Sequence, residues 1–201
     1  MTASPDTVAV VLAAGGSRRL GTPKQLLRWH GVSLVRRAVD AAQASQCTAV
    51  YVVVGSQAEQ VAAELAETDA VLVENPAWQQ GLSGSIAAGV RAAVADRDPA
   101  ALLLMLVDQP HVSEALLDHL LAVFDGGMAA CRYAGTLGVP AVFGREHFAA
   151  LEQLQGDRGA RSLLESQGEH VRAVSFDRGA VDIDTPEDWN AVEAGRPPGS
   201  A

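Results

Sequence analysis

The chain has 201 residues, of which 48% are hydrophobic and 19% are charged, so it can bury one sizeable core. Its formal net charge of -9 argues against a nucleic-acid-binding protein, because such binding needs Lys and Arg over a broad face. The sequence has no apolar run long enough to cross a bilayer and no pattern typical of a signal peptide. We therefore expect a cytoplasmic protein with no nucleic-acid or membrane partner.

The cysteines and histidines do not form a recognisable metal or disulfide pattern. Cys47 and Cys131 lie far apart and form no C-x-x-C pair, which argues against a disulfide framework or a zinc knuckle. The five histidines include no H-E-x-x-H and no close pair with metal-ligand spacing. A histidine metal centre is therefore not expected.

Strand and helix patterns alternate along the chain. Short β-branched runs predict buried strands at 8–12, 50–54, 71–73 and 102–107, and Ala-rich stretches with helical spacing predict helices at 33–44, 58–67 and 85–94. The second half predicts helices at 113–124, 145–154 and 159–167, and strands at 128–133 and 139–143. This order predicts one three-layer α/β/α domain over 1–195 with a mostly parallel, Rossmann-like sheet, followed by a disordered tail at 196–201.

Ligands in such sheets bind at the carboxyl ends of the strands. Residues just after Leu12, Val54, Val107 and Val181 are therefore candidates for the site. The first of these positions begins a run of small residues, Ala13-Ala14-Gly15-Gly16-Ser17. Small side chains let backbone N–H groups approach a phosphate or a base closely.

Three cations, Arg18, Arg19 and Lys24, follow within the same loop. The loop is not a Walker A motif, because Gly21 and Lys24 are not adjacent, and it lacks the G-x-G-x-x-G spacing of a dinucleotide fingerprint. The alternative is a surface turn with solvated arginines. Placement after a strand and the clustered cations favour a triphosphate-binding loop.

The stretch from Leu12 to Leu27 resembles the signature of the molybdopterin nucleotidyltransferases, which belong to the wider group of nucleotide-diphospho-sugar transferase folds. The resemblance implies that the loop wraps the triphosphate and that Lys24 and Arg19 stabilise charge during transfer. The nucleotide-binding residues implied in this stretch are Leu12, Ala13, Ala14, Gly15, Gly16, Ser17, Arg18, Arg19 and Lys24.

Asp108 ends an apolar strand and precedes Gln109 and Pro110, so it is placed at the carboxyl edge of the sheet. A cap for the next helix would be the commoner role, but Ser113 is the better cap. Mg²⁺ prefers one or two carboxylates together with phosphate oxygens and water. Asp108 is therefore predicted to bind Mg²⁺ and to take part in catalysis and nucleotide binding.

A second acidic segment lies near the C-terminus. Thr185, Pro186 and Asp188 predict the capped start of a helix, which leaves Asp182 and Asp184 on one side of an extended chain. Two acids on one face repel each other unless a cation lies between them. Asp184 is the preferred second metal ligand, and Asp182 is the alternative.

The segment 75–85 resembles the family pattern N-P-x-W-x-x-G-x-x-x-S, in which the Gly and Ser that match Gly81 and Ser85 line the nucleotide pocket. A capped loop anchored by Trp78 is the alternative. Farther along, Arg158 and Arg161 are candidates to bind an anionic acceptor, although a salt-bridged turn is equally compatible with them. Relatives often carry His at the position of Val139, so a polar contact to the acceptor is expected to be absent or replaced in this chain.

The resemblance implies transfer of CMP from CTP to the phosphate of molybdopterin or the molybdenum cofactor, with Mg²⁺ as cofactor and release of pyrophosphate. Ala14 resembles the cytidine-selective branch, because guanosine-selective relatives carry Gly there. One alternative is the same chemistry with GTP or with another phosphorylated acceptor, such as a sugar phosphate. A second is a non-catalytic carrier that hands the cofactor to a client molybdoenzyme.

Overall fold

The computed structural model describes residues 5–157 and 159–194. The α-helices are α1 (Leu34–Ala44), α2 (Ala58–Glu64), α3 (Leu82–Arg97), α4 (Glu114–Val123), α5 (Phe148–Glu152), α6 (Arg161–Gln167) and α7 (Pro186–Glu193). The strands are β1 (Thr7–Leu12), β2 (Arg28–Trp29), β3 (Val32–Ser33), β4 (Ala49–Val54), β5 (Val71–Glu74), β6 (Ala101–Leu106), β7 (Met128–Tyr133), β8 (Thr136–Gly144) and β9 (Val171–Ser175). No helix in these two ranges has both the length and the apolar character that a bilayer crossing requires.

Seven strands form the central sheet in the order β5-β4-β1-β6-β8-β7-β9. Neighbours among β5, β4, β1 and β6 pair in parallel, and β7 and β9 are also parallel. Only β8 runs the other way, antiparallel to both β6 and β7. The predicted mostly parallel sheet is therefore confirmed.

Helices cover both faces of this sheet. The core on one face contains side chains from α1, α2 and α4, and the core on the other contains side chains from α3, α5 and α6. β1 is buried along its whole length, and its alternate residues point to opposite faces. Ala9 and Val11 pack in the first core and Val10 and Leu12 in the second, so the predicted three-layer α/β/α domain is confirmed.

Several local expectations differ from the structure. β5 was predicted to be fully buried, but it is an edge strand with exposed Val71 and Leu72. The hairpin of β2 and β3 and the outer strand β9 were not predicted. Val181 precedes a segment without strand structure, although the Ile183 N–H donates to the carbonyl of Asp108 and joins this segment to the end of β6. The predicted tail at 196–201 lies outside the described residues.

The predicted helix caps are confirmed. The Ser113 side chain accepts a hydrogen bond from the Leu116 N–H at the start of α4. Thr185 and Asp188 form a reciprocal capping box at the start of α7, with Pro186 in its first turn. Because Asp188 is engaged there and Ser113 caps α4, Asp108 and Asp184 are left available for the site.

The packing of α3 on the sheet gives a stability prediction. A Cβ on Gly89 would lie 2.4 Å from Val10 Cγ1 and 3.0 Å from Val53 Cγ2, so overpacking should outweigh the higher helix propensity of alanine. We expect Gly89→Ala to lower the free energy of unfolding by about 1–3 kcal/mol. Urea unfolding measures this change.

Gly84→Ala is the matched control on the same helix. Its Cβ would meet only Asn75 Nδ2, at an ordinary contact distance of 3.7 Å. We expect this variant to gain up to about 1 kcal/mol from helix propensity. Equal stability of the two variants would contradict the packing argument.

Candidate active site

A cleft of about 440 Å³ opens at the carboxyl ends of β1 and β6. Five segments that lie far apart in the sequence form its walls. The lining residues are Leu12, Ala14, Gly15, Gly16, Ser17, Arg18, Arg19, Leu20, Lys24, Gln25, Trp78, Gln79, Gly81, Leu82, Ser85, Leu106, Val107, Asp108, Asp157, Ile183 and Asp184.

All but one of the residues predicted to bind the nucleotide line this cleft; the exception is Ala13. Its side chain packs in the core beneath α1, on the opposite face from that of Ala14. Its N–H donates to the carbonyl of Val53, and its own carbonyl accepts from the side chain of Gln25. Ala13 therefore uses its backbone groups to fix the start of the loop, and they do not face a ligand.

The loop that follows β1 presents unused hydrogen-bond donors. The backbone N–H groups of residues 14–20 donate to no other described residue. Ser17 has a φ of +47°, in the left-handed region, and its Oγ accepts a hydrogen bond of 2.9 Å from the Lys24 N–H. This contact closes the loop over residues 17–24, and free N–H groups in such a loop are typical of an anion site.

Lys24 connects two carboxylates from distant parts of the chain. Its Nζ lies 2.6 Å from Asp108 Oδ2 and 3.1 Å from Asp184 Oδ1. Burial alone would lower the pKa of Lys24, but the charges and hydrogen bonds of the two carboxylates outweigh burial and raise that pKa above its usual value. The ammonium is therefore firmly charged inside the cleft.

The same two carboxylates are suited to a hard cation. Asp108 Oδ1 is buried and has no hydrogen-bond partner among the described residues, and a buried oxygen without a partner is costly unless a ligand satisfies it. The other oxygen of Asp184 accepts from Arg19. Within the described residues no group of three or more His, Cys, Asp or Glu could hold a metal ion. A metal here would need phosphate oxygens and water to complete its coordination.

Asp182, the alternative ligand, is exposed and does not line the cleft. Its neighbour Ile183 is fully buried, so the alternation of the extended chain leaves Asp182 and Asp184 pointing outwards together. Partial desolvation, together with the negative charges of Asp108 and Asp184, raises the pKa of Asp182. The structure thus brings Asp184 into the cleft and leaves Asp182 beside it.

The wall opposite the charged cluster comes from the segment before α3. A Cβ on Gly16 would lie 2.8 Å from the Trp78 side chain, and a Cβ on Gly55 would lie 2.6 Å from it. The Trp78 side chain therefore packs directly on the backbone of the loop after β1 and of the residue after β4. Gly81 caps α3 with a φ of +116°, and Ser85 accepts a hydrogen bond of 3.0 Å from Asn75. Both predicted residues of this segment, Gly81 and Ser85, therefore lie in the cleft.

The two arginines predicted to bind an acceptor do not belong to the cleft lining. Arg161 begins α6 and donates to Thr136 Oγ1 at 3.0 Å. Arg158 lies outside the described residues. Asp157, which the sequence did not single out, does line the cleft, and its Oδ1 would lie 2.7 Å from a Cβ on Gly81. The Ser83 N–H donates to the carbonyl of Gly156 at 3.2 Å, which joins the 156–157 loop to the start of α3.

Gln25 is a second residue that the sequence reasoning missed. It lies next to Lys24 in a short 3₁₀ turn and is only 1% exposed. Its Nε2 donates to the carbonyls of Ala13 and Gly15, at 2.8 Å and 2.7 Å. The sequence shows only a glutamine directly after Lys24, and that identifies neither its burial nor its partners.

Comparison with known proteins places these residues in a family context. The model of the family described as "MobA-like NTP transferase domain" matches residues 9–172. The nicotine blue oxidoreductase of Paenarthrobacter nicotinovorans is 31% identical over 199 residues, covering 94% of each chain. The purine catabolism protein PucB of Bacillus subtilis (strain 168) is 31% identical over 204 residues, covering 94% of this chain and 97% of PucB.

Solved structures agree in fold over almost the whole chain. A nucleotidyl transferase from Methanothermobacter thermautotroptrophicus superposes with a TM-score of 0.82 at 26% identity, covering 94% of this chain and 97% of its own. Rv0371c from Mycobacterium tuberculosis H37Rv, in complex with manganese, superposes with a TM-score of 0.74 at 32% identity, covering 94% of this chain and 98% of its own.

The acidic segment beside the cleft predicts a pH dependence of stability. The folded protein raises the pKa of Asp182, so ionising this group costs stability once the pH is above that pKa. We expect Asp182→Asn to raise the melting temperature at about pH 7 and to leave it unchanged at about pH 3, where the carboxyl is protonated in both states.

Asp188→Asn is the control with the opposite sign. Partial burial by itself would raise the pKa of Asp188, but hydrogen bonds from Thr185 and Asp184 lower it. Its ionised form therefore stabilises the fold, and that stability is lost as the pH falls through the folded-state pKa. We expect Asp188→Asn to lower the melting temperature at about pH 7, and we expect this effect to disappear as the pH falls below the lowered pKa of Asp188. The same sign of change in both variants would rule out the electrostatic explanation.

Proposed function

The chain belongs to the MobA-like NTP transferase domain family, and from this premise we propose that it transfers CMP from CTP to the phosphate of molybdopterin or the molybdenum cofactor. The products are the cytosine dinucleotide form of the cofactor and pyrophosphate. The observation that carries the proposal is the cluster of Lys24, Asp108 and Asp184 next to a loop with unused N–H groups. That arrangement suits a bound triphosphate.

The two ends of the cleft suit the two ends of a nucleotide. The free N–H groups after β1, with Arg18, Arg19 and Lys24, face the triphosphate. The wall formed by Ala14, Gly81, Ser85 and the start of α3 faces the base and the sugar. Ala14 adds a methyl group where guanosine-selective relatives carry Gly, and the narrower cleft favours the smaller pyrimidine.

The reaction is an in-line displacement at phosphorus. A phosphate oxygen of the acceptor forms a bond to the α-phosphorus of CTP, and the bond from that phosphorus to the bridging oxygen breaks, so pyrophosphate leaves with the electron pair. The acceptor phosphate is already ionised at neutral pH, so no general base is required. Lys24 offsets the negative charge that builds up on the phosphates.

Family membership implies a divalent cation, for which we propose Mg²⁺. Asp108 and Asp184 are the residues that would hold it, and the buried, unpartnered Oδ1 of Asp108 suits that role. When bound, the cation neutralises triphosphate charge and orients the phosphates. Lys24 would then exchange part of its contact with the two carboxylates for contact with phosphate oxygens.

The proposed reaction has two alternatives. The main alternative is the same transfer chemistry with GTP or with another phosphorylated acceptor. The names of the two relatives refer to nicotine blue and to purine catabolism, not to a nucleotide or an acceptor. Arg161, with Arg158, is the proposed anchor for an anionic acceptor. A carrier that delivers the finished cofactor to a client molybdoenzyme in the cytoplasm is the alternative without catalysis.

The decisive experiment offers CTP, GTP, ATP and UTP separately, with Mg²⁺ and molybdenum cofactor, and follows pyrophosphate release. We expect release with CTP, and we expect Asp108→Asn to lower its rate by about 100-fold or more. Release with GTP but not CTP would overturn the base assignment. Delivery of cofactor to a molybdoenzyme that is unaffected by Asp108→Asn, without pyrophosphate release, would favour the carrier.

Two single substitutions, compared with each other, test the role given to Lys24. Lys24→Met keeps most of the side-chain volume but removes the charge between the two carboxylates, and we expect kcat to fall by about 100-fold or more. Arg18→Met removes one cation from the same cleft without breaking an ion pair among the described residues. We expect Arg18→Met mainly to raise the KM for CTP. Equal losses of kcat in the two variants would show that only the net charge of the cleft, and not the position of Lys24, affects the rate of transfer.

A further inference from the structure

Gln25 controls the direction of the peptide groups in the nucleotide loop. An amide nitrogen has two hydrogens, and the Nε2 of Gln25 gives one to the carbonyl of Ala13 and one to that of Gly15. The two carbonyls flank Ala14, the residue proposed to select the base. One buried side chain thus holds both sides of that residue.

Fixing these carbonyls also fixes the N–H groups on the other side of each peptide plane. In a planar trans peptide the C=O and N–H point in opposite directions. With the carbonyls of Ala13 and Gly15 directed at Gln25, the N–H groups of Ala14 and Gly16 point away from it. Neither N–H donates to another described residue, and both residues line the cleft.

The intervening peptide group is fixed by a different partner. The carbonyl of Ala14 accepts a hydrogen bond of 3.0 Å from the Ser56 N–H, which lies just beyond β4. Three successive carbonyls are therefore held by the protein, while the three N–H groups that follow them remain unused. Two of the three carbonyl contacts come from Gln25.

We infer that Gln25 is a positioning residue for nucleotide binding: its side-chain amide orients the Ala14 and Gly16 N–H groups so that they donate to acceptor atoms of the nucleotide. Gln25 acts through the loop backbone and donates no hydrogen bond to the nucleotide itself. This inference rests on the proposed function, because it requires a nucleotide in the cleft. A purely structural glutamine would stabilise the fold without changing nucleotide affinity.

Two substitutions at this position separate positioning from stability. Gln25→Met keeps the length of the side chain and removes both donors, so the loop carbonyls lose their partners. Gln25→Glu keeps the shape but places an acceptor opposite two acceptors when it is ionised. A carboxyl that faces two carbonyl oxygens is protonated more readily than an exposed one, and its O–H then restores one donor.

The measurement is the affinity of each protein for CTP and for GTP with Mg²⁺ and no acceptor, by titration calorimetry. For whichever nucleotide binds the unsubstituted protein, we expect Gln25→Met to weaken binding about tenfold. We expect Gln25→Glu to weaken nucleotide binding more than Gln25→Met does at about pH 8. At about pH 6 we expect the affinity of Gln25→Glu to come closer to that of the unsubstituted protein at the same pH. Because Gln25 lines the cleft, a carboxylate there would also repel a triphosphate directly, so the uncharged Gln25→Met is the variant that tests positioning.

Gln109 follows Asp108 but does not line the cleft, and it provides a matched control. It is also buried, its Nε2 also donates two hydrogen bonds, to Tyr133 and Gly179, and its Oε1 also lacks a partner among the described residues. We expect Gln109→Met to lower the melting temperature about as much as Gln25→Met does, with unchanged nucleotide affinity.

Three results would overturn the inference. The first is that both Gln25 variants have lower melting temperatures than the unsubstituted protein but bind the nucleotide as tightly as it does. The second is an equal loss of affinity in Gln109→Met. The third is an unsubstituted protein that is folded and binds neither CTP nor GTP, which would overturn the proposed base and this inference together, whereas the first two leave the proposed function standing.

Discussion

The ion pairs between Lys24 and the carboxylates of Asp108 and Asp184 are the interaction around which the site is built. They join the loop after β1, the end of β6 and the segment before α7. A buried carboxylate or ammonium is stable only when it is paired and hydrogen-bonded. Lys24 therefore holds both carboxylates in the cleft, and the two carboxylates together hold its ammonium. A ligand that brings its own negative charge and a cation can replace these contacts without leaving a buried charge unpaired.

The sheet brings these groups together, because β1 and β6 are adjacent and parallel and therefore end at the same edge. Asp184 reaches that edge by a different route. Ile183, the residue before Asp184, has a fully buried side chain, and its N–H donates to the carbonyl of Asp108. The capping box of Asp188 fixes the backbone that follows Asp184. An ordinary helix cap thus contributes to the position of a charged group in the cleft.

Much of this arrangement could be predicted from the sequence, since buried strands and helix caps leave local patterns. The loop after Leu12 and the acid at Asp108 follow from strand ends, and Asp184 follows once Thr185 and Asp188 are assigned to a cap. The exposure of β5 could not be predicted, because an apolar strand has the same pattern at the edge of a sheet as in its centre. β9 was missed because only Val171 and Val174 are buried there, too few to show a period. The contacts of Gln25 and Asp157 depend on tertiary structure, which no local pattern encodes.

The short turn at Lys24–Leu26 connects the two halves of the binding chemistry. Its first residue carries the ammonium that meets the carboxylates, and the next carries the amide that holds the loop carbonyls. Ser17 Oγ holds the turn against the loop through the Lys24 N–H. A shift of this turn would therefore move the charged group and the backbone donors together. Because both must meet the same triphosphate, their attachment to one short turn sets their relative positions before a ligand arrives, which lowers the entropic cost of binding.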